Sequence, residues 1–412
     1  MAGEWAEVPL GDVITLQRGF DLPSQNRKSG TVPIVSSSGI SDYHAEVGVK
    51  GPGVVTGRYG TIGQVFLIKE DYWPLNTTLW VKDFHGNDPH FASYLLRTID
   101  FQSCSDKSSV PGVNRNDLHR IPVLLPPLAE QKAIAAVLGA LDDKIELNRR
   151  MNATLETMAR ALFQSWFVDF DPVRAKLDGR KPVGLDDSNA ELFPDSFQES
   201  AVGLIPKGWT AEAVGDVVDC VGGGTPSTKE TKYWEGGTYH WTTPRDFSSL
   251  QSPILLETDR KLTEAGIAKV SSGLLPAGTL LLSSRAPVGY LAIAAMPVAI
   301  NQGFIALKCN ERASNFFMLS WCQMHMAEIE SRATGTTFAE ISKQNFRPIR
   351  VVLPPKELMA AFTAKVAPVY AQIHANLHQS RTLASLRDAL LPKLLSGEIN
   401  LGHGVLASMV AK

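Results

Sequence analysis

The sequence predicts a mixed α/β protein written twice: two α/β domains joined by two long antiparallel helices that pack as a coiled coil with pseudo-two-fold symmetry. Three observations carry this expectation. Residues 108–127, SSVPGVNRNDLHRIPVLLPP, align without a gap on 336–355, TTFAEISKQNFRPIRVVLPP, and self-similarity at a fixed offset is the mark of a repeated architecture. The apolar positions that follow each copy step by four and three, the period of a helical seam. Short runs such as VPIV, GVVT and TTLWV alternate with Gly, Asn and Ser turns, as strands do.

Residues 1–126 form the first expected domain and 127–168 the first long helix. Residues 169–207, rich in Pro, Gly and acid, form a connector with few periodic apolar positions, in which Phe193 and Phe197 are the residues able to dock. Residues 208–353 form the second domain, 354–397 the second long helix and 398–412 a tail. The first seam holds Ile134, Leu138, Leu141, Ile145, Leu155 and Leu162; the second holds Phe362, Val366, Val369, Ile373, Leu383 and Leu390. Asn148 falls on Asn376 and Asn152 on Ser380, so both seams break at one level. A polar layer at that point fixes the register of a coiled coil.

The match continues upstream in looser form. WAEVPLGDV (5–13) resembles WTAEAVGDV (209–217), Gly19 matches Gly223, GPGVVTGRYGTIG (51–63) resembles PAGTLLLSSRAPVG (276–289), and Asn76 pairs with Asn301. Helical patches, FASYLLRTIDF and FFMLSWCQMHMAEI, come late in each domain.

Composition bounds what such a chain does. With 412 residues, 44% hydrophobic and 20% charged, it suits two domains of ordinary size. No apolar run reaches the roughly 18–20 residues that span a bilayer, and MAGEWAEVPL lacks the regions of a signal peptide; a cytoplasmic, membrane-free protein is the expectation. Cys104, Cys220, Cys309 and Cys322 are scattered without a CxxC pair or a His at ligand spacing, which reads as reduced thiols and no metal. Residues 1–125 carry 11 Lys and Arg against 13 Asp and Glu, and the whole chain is at −2. Such a balance does not suit a protein gripping DNA alone through many phosphates; if DNA is the ligand, a partner supplies the charge.

Each helix of about 40 residues spans roughly 60 Å. Two diverged heads held at opposite ends of such a pair suit two unlike half-sites about one duplex turn apart, an asymmetric target that a homodimer does not match. Catalytic motifs are missing: there is no GxxxxGK[ST] loop, no N-P-P-[FY] or D-P-P-Y tetrapeptide, and no acidic pair with E-x-K in a nuclease setting.

The segments GGGTPSTKETKYWEGGTYHWTTPRD (222–246), LPPLAEQKAIAAVLGALDDKIELNRRM (125–151), LFQSWFVDFDPVRAK (162–176) and LRDALLPKLLSGEI (386–399), in this order around two domains, resemble the specificity subunits of type I restriction-modification systems. The resemblance covers nearly the whole chain. It implies a non-catalytic subunit with two target-recognition domains that binds double-stranded DNA and docks two DNA methyltransferase subunits. It also implies that S-adenosylmethionine sits in those partners and that a motor and nuclease subunit completes a restriction enzyme. An orphan recognition subunit serving a methyltransferase alone, and a coiled-coil adaptor that binds only protein, stand as alternatives.

Candidate contacts follow from residue type and place. Arg58 and Arg285, each after an apolar strand, could reach guanine O6 and N7 or a phosphate, or pair with a carboxylate. Thr225, Ser227 and Lys229 follow GGG, where a turn competes with a phosphate cradle. Thr243 and Arg245 stand in YHWTTPRDF beside Trp241, whose indole reads as core. Asn76 and Asn301 could read adenine or cap turns. Ser108, Asn114, Arg115, Thr336, Thr337 and Lys343 form a repeated polar loop that suits phosphate contact or a hinge. Glu130, Lys132, Glu146, Arg149 and Arg150 lie on an outer helix face, suited to a partner or to solvent.

Overall fold

The computed structural model describes residues 5–105, 112–335, 339–399 and 401; Ser108, Thr336 and Thr337 lie outside them. The chain divides into two compact units, Met1–Leu147 with Gln379–Lys412, and Asn148–His378. Each unit thus holds one domain and one end of each long helix, rather than a domain and a whole helix. The helices run Leu128–Phe167 and Lys356–Leu395, 40 residues apiece.

In the first unit, four antiparallel strands follow the order Thr15–Arg18, Thr78–Asp83, Gly53–Gly57, Val65–Ile68. A second sheet sets Val32–Ser36 between Gly39–His44 and a parallel partner, Trp73–Pro74. Ala6–Pro9 pairs with Pro122–Leu125 and ties the domain's beginning to its end. The helix Pro89–Arg97 begins where Asp88 accepts a hydrogen bond from the Phe91 amide, 2.9 Å, with proline in its first turn, both standard starts. Its buried Phe91, Leu95 and Leu96 close the sheet, and Ile134 and Leu138 of one long helix with Leu394 and Leu395 of the other complete the same core. Residues 134–138 facing 394–395 make this helix pair antiparallel.

The second unit repeats the plan with additions. Its sheet follows Asp219–Gly222, Phe304–Lys308, Leu280–Ser284, Val288–Ala294 and then a fifth strand, Ile254–Leu255. Tyr239–Thr242 sits between Arg260–Leu262 and the parallel Val298–Ile300, and Thr210–Ala213 pairs with Arg350–Leu353. The Gly-Asp matches in sequence have a packing reason: Gly11 and Gly215 donate to the carbonyls of His119 and Arg347 at 2.9 and 3.0 Å. A Cβ on either glycine would come within 3.1 or 2.7 Å of those residues' Cβ atoms.

The connector is folded. Helices Asp171–Leu177 and Asp187–Glu191 and the hairpin Phe197–Ser200 with Gly203–Pro206 belong to the second unit. Phe193 is buried edge-on to Trp166 at 5.1 Å, and Phe197 packs on Phe170 at 6.0 Å. The apolar residues of the connector are few because this short segment only has to cover the end of a larger aromatic cluster. That cluster is built on Phe163, Trp166 and Phe167, which share one helix face, together with Phe317, Phe362 and Trp209. Here the buried stripe is not centred on Leu155 and Leu162, which are half-buried at its margin. A 3.6-residue helix drifts from a 3.5-residue count, and this end must face both the second helix and the domain. Of the other seam positions, Phe362, Val366 and Ile373 are buried, while Leu141, Ile145, Val369, Leu383 and Leu390 are half-buried.

A polar layer lies inside the helix pair of the second unit. Asn376 donates through Nδ2 to Oδ1 of Asn152 at 2.8 Å and accepts from Gln372 at 2.8 Å, and Asn148 donates to the Asn376 carbonyl at 3.4 Å. Asn148 and Asn376 are repeat counterparts, so in this antiparallel pair a residue meets its own copy. Such buried amides tolerate no slip, since a shifted register would leave them unsatisfied.

In the first unit the helix pair carries a charge hub. Asp142 accepts from Arg387 at 2.6 Å, Tyr94 at 2.7 Å and Arg97 at 3.1 Å. Burial acts to raise its pKa, but the hydrogen bonds from Arg387 and Tyr94 and the two guanidinium charges outweigh it and hold the carboxyl below its ordinary value. A depressed carboxylate pKa adds stability that is present above the ordinary value and vanishes as pH falls through the folded one. Asp142→Asn should therefore cost about 1.5–3 kcal/mol at neutral pH, with the gap from the parent protein closing as pH falls below 3.8. Thermal unfolding of both proteins across that range checks it; a pH-independent gap contradicts the hub.

Candidate nucleic-acid interface

The matched positions gather, in each domain, where the loops after the first sheet strand meet the turns that follow the parallel strand pair. Gly19 and Gly223 are there for space. A Cβ on Gly19 would stand 2.2 Å from the Leu75 carbonyl oxygen, and one on Gly223 would stand 1.9 Å from that of Ile300. The chains therefore run against each other, with Phe20 donating to Pro74 at 2.8 Å and Gly224 donating to Ile300 at 3.0 Å.

That approach brings the next side chains together. In the first domain, Asn76 donates to the Asp21 carboxylate, which also accepts from Arg18 at 3.1 and 3.2 Å. The Arg58 amide donates to Thr77 at 2.8 Å, and the Arg58 guanidinium lies 4.5 Å over the Tyr59 ring. Ser37, at the tip of the neighbouring hairpin, lies against Gly57 and Gly60. In the second domain the corresponding crossing is neutral: Thr225 donates to Oε1 of Gln302 at 2.5 Å. The Ser284 amide donates to Gly303 at 2.8 Å, and the next residue, Arg285, stands 3.5 Å from Glu340.

Several candidates thus have partners within their own domain. Oδ1 of Asn301 accepts from the Gly303 amide at 2.8 Å, the turn-capping role. Thr243 opens a short helix, its amide and hydroxyl both donating to Asp246 at 2.7 and 3.1 Å, a capping box that needs a hydroxyl residue there. Arg245, next but one, is exposed, as are Ser227 and Lys229. Arg115 and Lys343 occupy the same place in the two domains: each is the exposed first residue of a short helix, capped by Asn114 or Ser342. In the long helices Glu130 accepts from the Trp5 indole at 3.1 Å, while Lys132, Arg149 and Arg150 are exposed and Glu146 half-exposed.

Sequence reasoning placed Trp241 in the core and left out most of the other residues that hold and flank this surface. Trp241 is buried, and its indole donates to the Gly224 carbonyl at 3.1 Å; Trp234, packed edge-on to it at 5.0 Å, donates to Ser227 at 3.0 Å. Two indoles thus pin the GGGTPS loop, and the Arg260 guanidinium covers Trp234 at 3.5 Å. Asp21, Ser37, Tyr59, Gln302 and Glu340 were also unannounced, although Asp21 lies two residues after the matched Gly19 and Gln302 directly after the matched Asn301. The result is an array of amide, hydroxyl and guanidinium groups on loops, the group types that match base edges, with little net positive charge. Among the described residues the four cysteines are free, no group of three or more His, Cys, Asp or Glu is placed to hold a metal ion, and no helix is long and apolar enough to cross a membrane.

The model of the type I restriction modification DNA specificity domain matches twice, over residues 2–157 and 206–362. The chain belongs to this family. It is a type I restriction-modification specificity subunit with two DNA-recognition domains, a recognition subunit and not a catalyst. Among its relatives, the HindI specificity subunit of Haemophilus influenzae is 29% identical over 337 residues, 72% of each chain. The MjaIX specificity subunit of Methanocaldococcus jannaschii is 34% identical over 163 residues, 39% of this chain and 38% of that one. The crystal structure of the S subunit from M. genitalium shares the fold, with a TM-score of 0.56 at 16% identity, over 95% of this chain and 96% of that one.

The glycine argument gives a paired test. Gly223→Ala must displace a backbone carbonyl and should destabilise the second unit by about 1–3 kcal/mol. Gly224→Ala, whose new methyl would find its nearest neighbour at 3.6 Å, should leave the melting profile unchanged. Equal melting of the two variants would contradict the close approach.

Proposed function

We propose that this specificity subunit reads an asymmetric, split DNA target, one half per domain. It holds two DNA methyltransferase subunits, which bind S-adenosylmethionine and methylate adenine, and a motor and nuclease subunit joins them in restriction. The observation that carries the reading is one loop frame built twice with different side chains: Asp21 with Asn76 in one domain, Thr225 with Gln302 in the other. A shared frame keeps both surfaces fit for a duplex, while unlike hydrogen-bonding groups at the same place favour unlike bases. The near-neutral charge of the chain fits a complex in which partners supply most phosphate contacts.

Mapping methylated adenines in the host genome with and without this gene tests it. The expected result is a motif in two unlike halves that disappears with the gene; methylation that persists unchanged would refute the proposal. Replacing residues 1–126 with those of a relative should change one half of that motif and leave the other half intact. One heptad inserted into both long helices adds about 10 Å, which should lengthen the gap between the halves by about three base pairs. An unaltered gap would remove the helices as the ruler.

A further inference from the structure

The two arginines that the sequence aligns are not structural counterparts: the Arg58 backbone donates to Thr77 and accepts from Val113, as that of Ser284 does with Gly303 and Ile341, so Arg285 stands at the place of Tyr59. Arg58 rests on Tyr59, its Nη2 3.5 Å from the phenol oxygen, and has no carboxylate partner among the described residues. Arg285 stands 3.5 Å from Glu340, both side chains partly exposed. The backbone of Glu340 is held in place. Its amide and carbonyl exchange hydrogen bonds with Thr334 at 2.9 Å each, and the next amide, Ile341, donates to Ser284 at 3.0 Å. The pair lines an open recess of about 670 Å³ together with Glu330, above a floor of Ala286, Pro287 and Val288. The recess thus carries one guanidinium and two carboxylates.

We propose that Glu340 is a specificity-determining residue of the second domain, acting as one unit with Arg285. The inference rests on the reading of that domain as a half-site reader. A carboxylate only accepts hydrogen bonds, so it is repelled by phosphates and by guanine O6 and N7, and is satisfied by the amino group of cytosine or adenine. A guanidinium only donates and is satisfied by guanine. A donor and an acceptor fixed side by side present one pattern to a base pair. They penalise any pair that leaves Glu340 facing an acceptor, because a desolvated carboxylate without a donor is costly. Glu340 thus lowers affinity for every sequence by occupying Arg285 and lowers it most for the wrong one. In the first domain the corresponding bridge joins Tyr59 and Gly112, which carry no such charge pair.

The test uses the subunit assembled with its methyltransferase partners, as the parent and as Glu340→Gln, Arg285→Ala and the double variant. Assembly and melting temperature are compared first. Binding is then measured on the mapped target and on duplexes altered at each position of either half. Glu340→Gln should tighten target binding about two- to five-fold, the worth of a partly exposed ion pair. It should also relax discrimination at one position of the second half alone. In the Arg285→Ala background the same change should have no effect on discrimination, since coupled residues show non-additive effects. An equal gain with and without Arg285 would reveal a general charge effect and overturn the proposal, as would a Glu340→Gln protein indistinguishable from the parent on a split target. If the parent complex recognises no split target, the functional reading falls and this inference falls with it.

Discussion

A helix of 40 residues with an apolar stripe needs cover along its whole length, and neither long helix finds enough of it in the other. In each compact unit the pair is finished by a domain's core: Ile134 and Leu138 with Leu394 and Leu395 beneath the first sheet, and Phe163, Trp166, Phe167 and Phe362 beneath the second. The helices are therefore inseparable from the domains they carry. Burial of large aromatics at one end, each contributing about 1.5–3 kcal/mol, is joined by the Asn148, Asn152 and Asn376 layer and the Asp142 hub. The apolar contacts supply most of the stability, and the polar ones select a single alignment, because only one register satisfies them.

Much of this was legible in the sequence because the chain states it twice. Period and offset located the helices, their antiparallel pairing and the polar layer, and the repeated glycines marked the close approaches at Gly19 and Gly223. What was not legible depends on partners distant in the chain. Asp142 looks like any exposed acid of a helix until Tyr94, Arg97 and Arg387 are folded around it. The stripe of Phe163, Trp166 and Phe167 competes with Leu155 and Leu162 in a heptad count, and only the presence of a second neighbour, the domain, decides between them. The connector shows few periodic apolar positions because Phe193 and Phe197, the residues the sequence marked as able to dock, complete another core rather than building their own.

At the candidate interface, residue type proved a weaker guide than position. The matched places do converge in each domain, but Asn301 caps its own turn, Thr243 caps a helix, and Asn76 and Thr225 are engaged across the loop crossing. Backbone geometry required at a crossing is conserved between the two copies, whereas the side chains laid over it differ. That division of labour explains how one fold presents two unlike surfaces without two unlike cores.

The pinning of the GGGTPS loop by Trp234 and Trp241 carries a further consequence. A loop whose carbonyls are already tied to one buried and one half-buried indole forfeits little conformational freedom when a ligand arrives. Its exposed side chains can then be exchanged one at a time without the underlying strands rearranging. Drift in recognition becomes separable from drift in foldability, so a chain of this design can acquire new preferences through single surface changes while its scaffold stays intact.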